Sequence, residues 1–132
     1  MQDQIDSFLE RGPWAVVGAS TARSKYGNKV FRRYLRAGKA PVYPVHRSAT
    51  EIEGHTAYRS LSELPEVPRA ISIITPPAVT EGIVDEAIAL GVEALWMQPG
   101  AESAAAIERA EAAGLSVIAN GPCLLVEMAG RE

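Results

Sequence analysis

Five short, almost wholly apolar runs alternate with longer amphipathic stretches along this chain of 132 residues. The first run, WAVVG at residues 14–18, is typical of a strand buried on both faces of a parallel sheet. Four further strands are predicted at residues 41–45, 70–74, 93–97 and 115–119. Repeated strand–helix alternation predicts an α/β fold, a single doubly wound domain over residues 1–132 with about five parallel strands and helices on both faces.

The predicted helices occupy the stretches between these runs. A short leading helix is expected before the first strand, and a terminal turn or short helix is expected after the last. The three main helices are predicted at residues 27–37, from Thr75-Pro76-Pro77 to Leu90, and at 101–113. Two prolines in PVYPV (41–45) argue against an interior position for that strand.

Composition narrows the function classes. Apolar residues make up 47% and charged residues 22%, values typical of one globular domain. The net charge of −3 argues against gripping nucleic acid as the main task, and no apolar run approaches the roughly 20 residues of a membrane span. A single cysteine, Cys123, excludes an intrachain disulfide and a cysteine-based zinc site. With no secretory signal pattern at the N-terminus, we expect a cytoplasmic protein.

The loops that follow the strands are the expected place for a ligand, since open parallel sheets bind at the carboxyl ends of their strands. The first loop begins Gly18-Ala19-Ser20 and brings hydroxyls and Lys25 to a helix start, where backbone N–H groups favour a phosphate. It matches neither G-x-G-x-x-G nor a P-loop. The loop therefore either binds a phosphate or only turns the chain.

The second loop bears on the kind of nucleotide. A NAD site normally ends this strand with an acid, whereas here the strand ends in Val45-His46-Arg47. A cation suits a ribose that carries a phosphate, as in NADP or coenzyme A, although both side chains could simply be exposed. After the third strand, Thr75-Pro76-Pro77 is either a strand exit or a rigid apolar wall for an adenine or a pantetheine arm.

No catalytic constellation stands out. The sequence offers no paired carboxylates, no histidine partner for Cys123 and no metal-ligand cluster, and Trp14 and Trp96 are expected in the core. We therefore predict no catalytic and no metal-binding residues.

In order and spacing, several segments resemble the small stand-alone CoA-binding domain proteins of bacteria. These are similar to the N-terminal nucleotide-binding domain of the succinyl-CoA synthetase alpha subunit. The resemblance covers the chain from about Trp14 to Glu127. The matching segments are AVVGAS (15–20), YPV (43–45), EIEGHTAYRSLSELP (51–65), LWMQPG (95–100) and AAGLSVIANGPCLLVE (112–127).

The resemblance implies a Rossmann-like, CoA-binding fold and assigns roles by position. Gly18, Ala19, Ser20 and Lys25 would line the diphosphate, and Val45, His46 and Arg47 would flank the adenine and the 3′-phosphoribose. Thr75, Pro76 and Pro77 match a proline-containing wall, and Gln98, Pro99 and Gly100 form the next loop.

The leading hypothesis is thus a non-catalytic module that binds CoA or an acyl-CoA, with no nucleic-acid or membrane partner and an unknown protein partner. A small NADP-dependent oxidoreductase and an interaction protein with a vestigial pocket are the alternatives. A further hypothesis is that Cys123 forms a mixed disulfide with CoA, since it follows the last strand at the ligand edge.

Overall fold

Five parallel strands form the central sheet of the chain, whose computed structural model describes residues 2–130. The strands are β1 (Trp14–Val17), β2 (Val42–Val45), β5 (Ala70–Ile73), β6 (Ala94–Met97) and β7 (Ser116–Ile118). Their order across the sheet is β2-β1-β5-β6-β7, and every neighbouring pair is parallel. The predicted Rossmann-like α/β fold with five parallel strands is confirmed.

Helices cover both faces of this sheet. They are α1 (Gln2–Leu9), α2 (Tyr26–Arg36), α3 (Pro77–Leu90), α4 (Ala104–Ala112) and α5 (Leu124–Ala129), with a 3₁₀ turn at Leu61–Glu63. Alternate strand residues point to opposite faces. Trp14 and Val16 pack with α1, α2 and α5, whereas Ala15 and Val17 pack with α3 and α4. The strands are therefore buried on both sides, which explains their continuous apolar runs.

Strand β2 lies at the edge of the sheet, in agreement with its two prolines. The carbonyl of Pro44 faces away from β1 and accepts a hydrogen bond from the N–H of Tyr58. Since a parallel strand turns the N–H and C=O of one residue to the same side, the missing N–H of Pro44 removes no bond to β1.

A small hairpin in the β2–β5 connection was not predicted as strand. Strands β3 (Glu51–Ile52) and β4 (His55–Thr56) pair antiparallel. Glu53 and Gly54, a dipeptide whose glycine is typical of a turn, lie between them, and both residues have positive φ, as a type I′ turn requires. Strands of two residues are too short to show alternation, so the sequence indicated only the turn.

Candidate functional site

A cavity of about 470 Å³ opens at the carboxyl ends of β1 and β5. The chain leaves β1 through α2 on one face of the sheet and leaves β5 through α3 on the other. This is the point where strand order reverses, and it is the usual ligand crevice of an open α/β sheet. The lining residues are Val17, Gly18, Ala19, Ser20, Lys25, Tyr26, Gly27, Val45, His46, Arg47, Arg59, Ile74, Thr75, Pro76, Val79 and Ile83.

Two glycines allow close backbone contacts at the end of β1: Gly18 lies against the segment that follows β5, and Gly27, in the first turn of α2, lies against Gly18. Gly18 has a φ of 95°, and a Cβ added there would lie 2.1 Å from the carbonyl oxygen of Ile74. A Cβ added at Gly27 would lie 2.1 Å from the carbonyl oxygen of Gly18. Only glycine fits both positions, so the helix begins in direct contact with the loop that precedes it.

The start of α2 is suited to an anion. Its first turn contains no acidic residue, and the Lys25 backbone caps it without a side-chain hydrogen bond. The first N–H groups of a helix have no partner within it, and the helix dipole places partial positive charge there. Because Gly27 has no side chain, a ligand at Gly18–Ser20 can approach these N–H groups closely.

The β1–α2 loop is held in place by Asn28, which is fully buried. Its Nδ2 donates to the carbonyl oxygen of Ser20 at 2.8 Å and to the Glu53 carboxylate at 3.1 Å. Its Oδ1 accepts a 2.7 Å hydrogen bond from Nε of Arg32. The β3–β4 hairpin thereby braces the loop through Glu53.

Three exposed cations surround the cavity: Lys25, Arg47 and Arg59. Arg59 lies at the cavity because the chain after β4 runs alongside β2. The His46 N–H donates a hydrogen bond to the Tyr58 carbonyl there, at 2.8 Å. No Asp or Glu occurs among the cavity-lining residues that the structure describes. In a chain with a net charge of −3, this is a local concentration of positive charge.

His46 is oriented by the backbone that follows it. Its Nδ1 accepts hydrogen bonds from the N–H groups of Ser48 and Ala49, at 3.0 and 2.8 Å. An acceptor at Nδ1 fixes the neutral tautomer, so Nε2 carries the hydrogen and acts as a donor.

The opposite wall is apolar and rigid. It is formed by Ile74 and Pro76 at the end of β5 and by Val79 and Ile83 on α3. The Thr80 hydroxyl, which is buried, makes hydrogen bonds with the Thr75 side chain and with the carbonyls of Thr75 and Pro76. This wall offers an aromatic ring or an alkyl chain a surface opposite the cations.

The structure brings most of the predicted site residues together. Those lining the cavity are Gly18, Ala19, Ser20, Lys25, Val45, His46, Arg47, Thr75 and Pro76. Pro77, Pro99 and Gly100 lie outside the lining, and Gln98 is fully buried beside Tyr26. Seven lining residues were not among the predicted site residues: Val17, Tyr26, Gly27, Arg59, Ile74, Val79 and Ile83. For Gly27 a signal existed, because a glycine at a predicted helix start indicates close backbone contact.

Two kinds of feature are absent from residues 2–130, the part of the chain that the structure describes. No helix there is long and apolar enough to cross a membrane. No group of three or more His, Cys, Asp or Glu side chains there is arranged to hold a metal ion.

Fold and cavity together define a Rossmann-like α/β domain with a cation-rich cleft at its switch point. The sequence model of a family described as a CoA binding domain matches residues 13–129, and the chain belongs to that family. The resemblance expected from the loop segments is confirmed.

Similar proteins occur both as short chains and within a larger enzyme. A solved structure of a conserved hypothetical protein from Pyrococcus furiosus is 40% identical, with a TM-score of 0.80, over 86% of this chain and 97% of that one. A hypothetical protein from Pyrococcus horikoshii OT3 is 28% identical, with a TM-score of 0.90, over 98% of this chain and 89% of the other. The α subunit of ADP-forming acetate-CoA ligase II from Pyrococcus furiosus is 33% identical over 82 residues, 61% of this chain. The match spans 18% of that ligase subunit's length.

Proposed function

We propose that the chain binds coenzyme A, or an acyl-CoA, in the switch-point cavity. The observation that carries this proposal is the lining itself: three cations and no carboxylate among the described lining residues of an acidic chain. Membership of the CoA binding domain family supports the choice of nucleotide.

The diphosphate is proposed to lie at the β1–α2 loop. Lys25 supplies a charge there, Ser20 lies in the loop, and the first N–H groups of α2 supply donors. Gly18 and Gly27 support the fit, since a side chain at Gly18 would clash with the Ile74 carbonyl after β5 and one at Gly27 would push the helix away from the loop.

The 3′-phosphate is proposed to lie between Arg47 and Arg59. A guanidinium fork matches two phosphate oxygens, and the Nε2 hydrogen of His46 adds a third donor. All three side chains are at least partly solvent-accessible, so their attraction is screened by salt. The apolar wall at Pro76, Val79 and Ile83 remains for the adenine or the pantetheine arm.

We further propose that the chain binds CoA or an acyl-CoA without catalysing a reaction of either. The lining offers no carboxylate as acid or base among its described residues, and Nδ1 of His46 is engaged by two backbone N–H groups. Burial and the contact with Cys123 raise the pKa of Tyr26, so its hydroxyl stays protonated at neutral pH. The ligase subunit from Pyrococcus furiosus is matched over only 18% of its length, so ligation is not part of the proposed function. A cytoplasmic location, with CoA or acyl-CoA as the partner, belongs to the same proposal.

Calorimetric titration with CoA, dephospho-CoA, NADP and NAD tests this function. We expect CoA to bind, dephospho-CoA to bind about 5- to 30-fold more weakly, and NAD not to bind, since one charge-assisted phosphate contact contributes about 1–2 kcal/mol at an exposed site. Binding of NADP without CoA would replace the proposal with an NADP-dependent oxidoreductase. Binding of none of the four would indicate a vestigial pocket and an interaction role.

A further inference from the structure

Cys123 is connected to the cavity through its contact with Tyr26. It is the residue before α5, and its Sγ makes a hydrogen bond with the hydroxyl of Tyr26 at the start of α2. Tyr26 itself lines the cavity, and the thiol is only half-buried. The thiol of the chain's one cysteine therefore lies at the edge of the proposed CoA site.

The backbone on both sides of Cys123 is anchored to the end of β6. Nε1 of Trp96 donates to the carbonyl oxygen of Pro122 at 2.9 Å, and the N–H of Leu124 donates to Oε1 of Gln98 at 2.9 Å. Trp96 and Gln98 are both fully buried. The position of the thiol is therefore fixed by the core of the sheet.

Gln98 leaves one donor open at this junction. Its Oε1 accepts from the Tyr26 hydroxyl at 3.0 Å and from Leu124, so the amide orientation is set by two donors. Its Nε2, on the same amide, is buried and has no hydrogen-bond partner within the described residues. Buried polar groups are nearly always paired, so an open donor beside a cysteine indicates a place for an acceptor that is not part of this chain.

The positions of the cations and of Cys123 along the sheet indicate which end of the ligand lies at which edge. Arg47 and Arg59 lie beside β2, at one end of the sheet, whereas Gln98 and Cys123 follow β6 and β7. The sheet is roughly 19 Å wide between these edges, at about 4.8 Å per strand. A ligand with phosphates at one end and a thiol at the other fits this arrangement when its thiol end lies at Cys123.

We propose that Cys123 undergoes thiol–disulfide exchange with the disulfide form of the thiol-bearing nucleotide bound in the cavity. The proposal rests on the proposed function. The Cys123 thiolate attacks one sulfur of the ligand disulfide, so that an Sγ–S bond forms while the ligand S–S bond breaks. The departing thiolate takes up a proton, replacing the one that Cys123 lost to solvent, and the number of disulfides is unchanged.

Tyr26 is a positioning residue in this exchange. In the thiol form, the cysteine S–H donates to the Tyr26 oxygen while the Tyr26 hydroxyl donates to Gln98. When Cys123 loses its proton, the Tyr26 hydroxyl can turn to donate to the sulfur. The Gln98 oxygen still keeps its bond from Leu124.

The experiment compares two disulfides on the reduced chain of 132 residues. CoA disulfide and glutathione disulfide are added at equal concentrations, and the adduct is followed by mass spectrometry, with dithiothreitol to reverse it. We expect one adduct, absent in Cys123→Ser, that forms at least about 10-fold faster with CoA disulfide because the bound ligand holds its sulfur near the thiol. Acetyl-CoA, which has no free thiol, should slow the CoA disulfide reaction because it occupies the same cavity.

Two variants distinguish effects on the reacting sulfur from effects on nucleotide binding. Tyr26→Phe should slow both reactions by a similar factor, since the hydroxyl acts on the sulfur itself. Arg47→Ala should slow the CoA disulfide reaction more than the glutathione reaction. An unchanged glutathione rate in Tyr26→Phe would remove Tyr26 from the account.

Titration of acetyl-CoA on the unmodified chain distinguishes the two proposals. If acetyl-CoA binds while the two disulfides react at equal rates, the exchange proposal is overturned and the proposed function stands. If neither CoA nor acetyl-CoA binds and the rates are equal, both are overturned.

Discussion

Gly27→Ala tests the contact between the first turn of α2 and the β1 loop. The new methyl group would lie 2.1 Å from the carbonyl oxygen of Gly18, and the next atoms at 3.1 and 3.3 Å are also backbone. A carbon–oxygen contact needs about 3.2 Å or more, so the start of α2 has to move by about 1 Å, at a cost of about 1–3 kcal/mol. No side chain among these neighbours can rotate away.

The expected changes affect stability and binding together. The free energy of unfolding falls by about 1–3 kcal/mol, which lowers Tm by roughly 4–12 °C in a domain of this length. A 1 Å retreat of the helix start also lengthens its hydrogen bonds to the diphosphate, which weakens CoA binding by about 10-fold or more. Thermal denaturation and calorimetric titration measure the two effects.

Gly82→Ala is the matched control. Gly82 lies in α3, is exposed, and has no atom within 4 Å of an added Cβ. Alanine there should raise the free energy of unfolding by about 0.5–1 kcal/mol through helix propensity alone, with CoA binding unchanged. If Gly27→Ala instead behaves like Gly82→Ala, in stability and in binding, the close contact between α2 and the loop does not have the role argued above.

Three further predictions concern other parts of the molecule. Asn28→Ala should lower the free energy of unfolding by about 2 kcal/mol and weaken CoA binding, because the Ser20 carbonyl loses its hydrogen bond to Asn28. Chemical denaturation measures the stability and titration measures the binding. If both stay unchanged, Asn28 does not brace the loop. Arg47→Ala should weaken CoA binding about 5-fold but leave dephospho-CoA binding nearly unchanged, and equal losses for the two ligands would place the 3′-phosphate elsewhere. Tyr34→Phe should lower the free energy of unfolding by about 1–2 kcal/mol, because it leaves the buried Ser72 hydroxyl without its 2.7 Å hydrogen-bond partner. In urea denaturation, the double variant with Ser72→Ala should recover part of that loss. No recovery would contradict this pairing.

The sheet could be predicted from the sequence because burial on both faces leaves a continuous apolar run. Runs such as AISII gave the strands to within a residue or two at each end, and the prolines of PVYPV correctly argued against an interior position. The β3–β4 hairpin could not be predicted as strand because two residues carry no period. Only its turn residues, Glu53 and Gly54, form a pattern that the sequence makes recognisable.

The site was harder to predict than the sheet, since a cavity depends on the order of strands across the sheet. The β1 and β5 loops meet because β5 pairs with β1, whereas the β6 loop with Pro99 and Gly100 lies one strand further away. Arg59 follows no main strand and reaches the cavity only through the pairing of Tyr58 with β2. Such placements depend on contacts between distant segments, which spacing along the chain does not encode.

The contact between Tyr26 and Cys123 could not be predicted from the sequence for the same reason. Nearly one hundred residues separate the two side chains, and only the packing of α5 against α2 brings them together. The sequence placed Cys123 at the ligand edge because it follows the last strand. The partner of its thiol and the open donor of Gln98 became visible only in three dimensions.

The crystal structure of the chain with CoA bound would show whether the switch-point cavity holds the nucleotide. We predict the diphosphate at the N–H groups of the first α2 turn, the 3′-phosphate within reach of Arg47 and Arg59, and the thiol end directed toward Cys123. A different cavity, of about 500 Å³ between α1, α2 and α5, also carries cations, among them Arg36 and Lys39. CoA bound there, with the switch-point cavity empty, would contradict the account.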